Sequence, residues 1–154
     1  MSLARRIEEY IKRRLLETGD AIELQRSDLA EIFHCVPSQI NYVLSTRFTP
    51  TLGYLVESRR GGGGYLRIIK LSWEQEPESD AKQIYENVGL AIDQWDAQGV
   101  LKRLYEEDFL TSREYHILKA ITSRETLQVD LPHRDIIRAR IMQAILTSLN
   151  RNDL

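Results

Sequence analysis

Four consecutive glycines, Gly61 to Gly64, interrupt a chain that on either side reads as β-structure: Tyr54-Leu55-Val56 before them, Tyr65-Leu66-Arg67-Ile68-Ile69-Lys70-Leu71 after. Such a run cannot continue a helix or a strand, because each glycine loses more backbone entropy on ordering than any other residue. It therefore predicts a hairpin. A two-residue turn needs only one or two glycines, so the extra ones specify a soft tip that another molecule can approach closely. Arg59 and Arg60 stand immediately before the glycines. A hairpin with a glycine tip and arginines at its shoulder suits a wing that probes DNA, and a mobile surface loop carrying incidental arginines is the competing reading. The preceding residues favour the wing.

Between Ala21 and Phe48 the sequence predicts two short helices joined by a tight turn. Ser27, following Arg26, is placed to cap the first, with Asp28 in its opening turn and Leu29 and Phe33 on a core face. His34-Cys35-Val36 supplies the turn. Pro37 and Ser38 start the second helix, in which Ile40, Val43 and Leu44 repeat at helical spacing. The opposite face carries Ser38, Gln39, Asn41, Tyr42, Ser45, Thr46 and Arg47. Asn and Gln amides pair bidentately with adenine in the major groove, so this face reads as a recognition helix. Helix, helix and hairpin together predict a winged helix-turn-helix, with the helix in the major groove and the wing on the backbone or minor groove. A first helix, Leu3 to about Leu16, completes it with the stripe Leu3, Ile7, Tyr10, Ile11 and Leu15. The expected DNA contacts are Arg26, Ser27, Pro37, Ser38, Gln39, Asn41, Tyr42, Ser45, Thr46, Arg47, Arg59, Arg60, Gly61, Gly62, Gly63, Gly64 and Tyr65.

The run Cys35-Val36-Pro37-Ser38-Gln39-Ile40-Asn41-Tyr42-Val43, with Thr46-Arg47-Phe48, Gly53-Tyr54, Val56-Glu57-Ser58 and Arg60-Gly61-Gly62-Gly63-Gly64-Tyr65, closely resembles the CtsR family of stress-gene repressors of low-GC Gram-positive bacteria. The resemblance implies a homodimeric repressor that binds tandem direct repeats upstream of chaperone and clp protease genes and releases them on heat stress. It further implies that the glycine wing senses temperature, that Arg60 is the target of a protein arginine kinase, and that the Clp protease machinery degrades the repressor. A tip with little side-chain packing has low local stability, which is compatible with thermal release.

Net charge is −2, but it is divided unevenly: residues 1–72 carry eleven Lys and Arg against eight Asp and Glu, and residues 73–154 carry ten against fifteen. Within residues 37–70, Arg47, Arg59, Arg60, Arg67 and Lys70 oppose only Glu57, a local positive field. The acidic stretch from Ser72 to Asp80, containing Pro77, ends the first domain, so the expected division is a winged helix-turn-helix at 1–72 and a helical dimerisation domain at 78–154. There Ile84, Val88, Ile92 and Trp95 predict one helix, and Val100, Leu101, Leu104 and Tyr105 a second after Gly99. Thr111 to Glu114 has capping-box spacing for a third, and a long last helix follows Pro132. Its row Ile137, Ile141, Ile145 and Leu149, broadened by Ile136, Met142 and Leu146, is wide enough to suggest a partner, the competing reading being a self-contained bundle that packs them internally; the dimer seam rests partly on the family resemblance. The fold class expected is α+β at the N-terminus followed by an all-α domain.

No cofactor is called for. The glycines lack both the Lys-Ser/Thr ending of a phosphate loop and the dinucleotide spacing. Glu106, Glu107 and Asp108 read as a solvated turn, the three histidines have no ligand pattern, and Cys35 has no second thiol and reads as a packing residue. No enzyme is expected, nor any membrane span or signal peptide, and the location expected is the cytoplasm. Two alternatives stay open: a protein-binding adaptor in a protease pathway, and a winged-helix regulator gated by a small molecule in the helical domain.

Overall fold

A computed structural model describes residues 1–59 and 64–154. The expectations that rest on Arg60, Gly61, Gly62 and Gly63 lie outside the described residues. The chain divides into two compact units, Met1–Pro77 with Asn150–Leu154, and Glu78–Leu149.

In the first unit, helix α1 (Leu3–Thr18) is capped by the Ser2 hydroxyl, which accepts from the Arg5 N–H, and buries Ile7, Ile11 and Leu15. Strand β1 (Ala21–Gln25) follows, where no strand was expected. It is only five residues long, with Ile22 and Leu24 inward and Glu23 outward, too short an alternation to stand out beside the helical pattern downstream. Helix α2 (Arg26–Ile32) starts one residue before the expected cap: Gln25, the last residue of β1, occupies the N-cap position without a side-chain bond. Ser27 therefore lies inside the helix. The Arg26 N–H donates instead to Gly64 O at 3.0 Å, so the strand's extended geometry sets the helix start. His34, at φ 51°, makes the turn, and helix α3 (Pro37–Arg47) begins with its proline in the first turn, where no N–H is missed.

Strands β2 (Tyr54–Arg59) and β3 (Tyr65–Lys70) form the hairpin, and the sheet order is β1-β3-β2, antiparallel throughout. Ile7, Ile11, Leu15, Leu29, Ile40, Val43, Leu66 and Ile68 fill the core between helices and sheet. Gly53, at φ +94°, lets the chain enter β2: a Cβ there would lie 2.5 Å from Glu74 Cα. Trp73 Nε1 closes the same corner by donating to Pro50 O at 2.6 Å.

The second unit is helical. Helix α4 (Asp80–Val88) ends at Gly89, and α5 (Gln94–Glu106) starts where the Asp93 carboxylate accepts from the Asp96 N–H at 2.8 Å. The expected division was different, with one helix through Trp95 and another after Gly99. The Asp93 cap moves the boundary, so Ile92 sits between helices, Trp95 in the first turn of α5, and Gly99 within it. Helix α6 (Ser112–Ile121) opens with the expected Thr111–Glu114 capping box, a four-residue helix α7 (Arg124–Leu127) follows, and α8 (His133–Leu149) is the longest. On α8 the buried line is Ala139, Met142 and Leu146 beside Arg138, whereas the isoleucines at 136, 137, 141 and 145 are half-buried. Periodicity located the helix but misassigned its deepest stripe, because an arginine cannot be read from pattern as a buried residue.

Candidate nucleic-acid interface

Helix α3 separates its faces cleanly. Ile40, Val43 and Leu44 are buried, and Pro37, Ser38, Gln39, Asn41, Tyr42, Ser45, Thr46 and Arg47 are exposed. Ser45 and Thr46 hydroxyls donate to Tyr42 O at 3.1 and 2.7 Å, which holds their side chains against the helix, and Arg47 Nε stands 4.0 Å from Glu8 Oε2. Gln39 and Asn41 are exposed on this face, and their amides are groups of the kind that can pair with base edges.

Arg26 joins this helix to the hairpin. Its Nε donates to Asn41 Oδ1 at 2.7 Å, its Nη2 to Ser58 Oγ at 2.9 Å and its Nη1 to Gly64 O at 3.4 Å. One guanidinium thus holds α3, β2 and the end of the glycine run, and fixes which end of the Asn41 amide faces it. Glycine suits position 64: its φ is +77°, strained for an L side chain, and a Cβ would come 3.2 Å from Arg26 Cβ and Cδ, so the clasp would have to shift. From sequence Arg26 was assigned a DNA contact; the bonds it makes here are all to its own chain, and Ser58 was not singled out at all. The signal available was the hairpin register, which sets Ser58 opposite Leu66 beside the glycines.

The local positive field is smaller than the sequence count. Lys70 is buried. Arg67 is paired with Glu23 at 3.3 Å and with Asp153 at 3.1 Å. The Tyr65 hydroxyl donates to Glu23, and this bond, with the Arg67 guanidinium next, lowers the Glu23 carboxyl below the usual carboxylate range. Asp153 bonds Arg151, which reaches Glu57 at 2.6 Å. The Arg151 bond and then Arg67 hold the Asp153 carboxyl at about 2. These residues tie β1, β2, β3 and the C-terminal tail together, and leave Arg59 as the exposed cation at the described end of the hairpin. Ser27 is exposed at the start of α2.

A family model described as the CtsR N-terminal HTH domain matches residues 2–72, and one described as the CtsR C-terminal dimerization domain matches residues 77–147. The chain belongs to the CtsR family. It is similar to the transcriptional regulator CtsR of Geobacillus stearothermophilus, 46% identical over 93% of this chain and 94% of that protein. The Bacillus subtilis (strain 168) transcriptional regulator CtsR is 44% identical over 93% of each chain. A crystal structure of CtsR in complex with a 26bp DNA duplex is 44% identical, covering 96% of this chain and 98% of that one, with a TM-score of 0.48. The CtsR relatives are transcriptional regulators with a helix-turn-helix domain, and this member of the family is a regulator of that kind, not an enzyme. Among the described residues no helix is long and apolar enough to cross a membrane, and no group of three or more His, Cys, Asp or Glu is placed to hold a metal.

Proposed function

We propose that the protein is a repressor of stress-response genes that binds operator DNA as a homodimer, on tandem direct repeats, and releases it on heating through the glycine wing. The observation that carries this is the Arg26 clasp: the amide-bearing face of α3 and the base of the hairpin are held by one side chain. A protein that only grips phosphates has no need for that registration, whereas one that reads bases beside a wing contact does. Arg47 and Arg59 serve the phosphates, and Gln39 and Asn41 read the groove.

Release is assigned to the glycine run on the strength of the family resemblance; Gly61 to Gly63 offer no side chain to the rest of the unit. Phosphorylation of Arg60 by a protein arginine kinase replaces a cation with an anion beside DNA and ejects the repressor, and the Clp machinery then removes it. The site of action is the cytoplasm, beside the chromosome.

Fluorescence anisotropy on a duplex with two tandem repeats, against a scrambled duplex, tests this from ambient to heat-shock temperature at fixed salt. Operator preference that disappears well below the melting temperature is expected. Equal binding to both duplexes would sink the reading and point to a protein-binding adaptor instead.

A further inference from the structure

The helical unit buries a cation that its own fold leaves partly unsatisfied. Arg138 on α8 is 1% exposed. Its Nε donates to Thr122 O at 2.7 Å, and its Nη1 donates to Ile92 O at 3.1 Å and to Asp135 Oδ1 at 2.5 Å. Its Nη2 has no partner among the described residues, and neither has the buried Nε of Arg134, one turn earlier. A buried donor on a charged group is costly to leave unpaired, and because both atoms are shielded from solvent, an acceptor reaches them only once the side chains turn toward the cleft.

Both side chains line a cleft of ≈ 440 Å³, with Arg124, Trp95 and Leu131 also in its wall. The cleft includes two carboxylates, and both are engaged: Asp93 caps α5 through the Asp96 N–H, and Asp135 is bonded to Arg138. Arg124 Nε pairs with Glu125. What remains is guanidinium donor capacity, and guanidinium forks match the oxygens of carboxylates and phosphates. Trp95 is 82% and Leu131 58% exposed, so apolar surface lies directly beside the charged lining. Convergent polar groups next to an apolar wall suit an amphiphilic small molecule.

We propose that this cleft binds an organic oxyanion, a small molecule with a carboxylate or phosphate group and a flat apolar part. Arg134 holds the oxygens, Arg138 lies behind it as a buried positive charge, and Trp95 and Leu131 cover the apolar part. The site supplies the polar constellation that a ligand-gated regulator requires and that the sequence does not reveal, because its residues come from α5, α7, α8 and the segment before α8. It stands independently of the DNA reading. An acidic side chain of a second subunit offers the same acceptor chemistry, so the experiment separates the two sources.

The full-length protein is titrated with benzoate and with phenyl phosphate, against chloride at matched ionic strength. Trp95 fluorescence and the Arg134 and Arg138 Nε–H NMR signals are followed, with Trp95→Phe as the optical control. Arg134→Gln is the principal variant: the Arg134 side chain makes no hydrogen bond or ion pair among the described residues, so its melting temperature should not fall. Saturable shifts with at least one probe, weakened about tenfold or more in Arg134→Gln while the dimer dissociation constant stays the same, are expected. Shifts that rise linearly and equally with chloride would overturn the site. So would an absence of probe binding coupled with easier subunit dissociation in Arg134→Gln, which would assign the guanidiniums to the partner's carboxylate.

Discussion

Replacing Arg26 with alanine removes three donors at once from acceptors on α3, β2 and the end of the glycine run. The bonds at 2.7 and 2.9 Å are short enough to count fully, and the one at 3.4 Å is marginal. A partly exposed hydrogen bond contributes about 0.5–1.5 kcal/mol net, so the two good ones together amount to about 1–3 kcal/mol of registration between helix and wing. If that registration is needed only on the operator, Arg26→Ala should weaken operator binding by roughly 5- to 150-fold and leave random-sequence binding almost unchanged. Anisotropy at two or more salt concentrations measures it. Arg26→Lys decides the cause. Lysine keeps the charge but lacks the fork, so a clasp is lost in both variants, whereas a simple phosphate contact is restored by lysine and shows in alanine as a salt slope reduced by about 1. Lysine binding like wild type would refute the clasp.

Gln39→Ala should cost about 1–3 kcal/mol on the operator and nothing on a scrambled duplex, read by the same assay; equal losses would remove Gln39 from base recognition. Gly53→Ala forces a Cβ to 2.5 Å from Glu74 Cα at a φ of +94°, and should destabilise the winged unit by about 2 kcal/mol or more, seen by calorimetry as a Tm lower by roughly 8 °C or more. Asp153 has its carboxyl lowered from 3.8 to about 2, so the stability it contributes is complete above the unfolded value and fades as pH falls through about 2. An NMR titration of that carboxyl should find its midpoint near 2 and see it rise in Arg151→Ala, and a midpoint at the ordinary value would contradict the tail network.

Most of the winged unit was legible because its signals are local. Pro37 at a helix start, the Ile40, Val43, Leu44 spacing and the β-rich flanks of the glycines each act within a few residues. Strand β1 was not, since Ile22 and Leu24 are too few to define a period and their pairing with Leu66 and Ile68 is remote in sequence. The Ser27 cap failed for a related reason: β1, held in place by its pairing with the distant β3, runs directly into α2 and decides where the helix begins. In the helical unit the α4–α5 break turned on one carboxylate, Asp93, whose capping competes with an apolar spacing that runs straight through it. The candidate site divides likewise. The exposed face of α3 follows from periodicity, whereas the Arg26 clasp, the neutralised Arg67 and the buried Arg138 depend on partners many residues away.

The tail that returns to the sheet gives the chain an unusual topology. Residues 150–154 belong with residues 1–77, so the helical unit is an insertion, joined to its host at both of its ends. The Leu71–Arg151 bridge, the bond from the Ser72 N–H to Asn150 O and the Asn152 N–H to Lys70 O bond stitch residues 150–152 to residues 70–72 at the end of β3. A protease that nicks only one junction leaves the two units covalently connected. A gene fragment ending at residue 77 would strip Arg67 and Glu57 of their tail partners, so a faithful minimal reader must splice the last five residues back on.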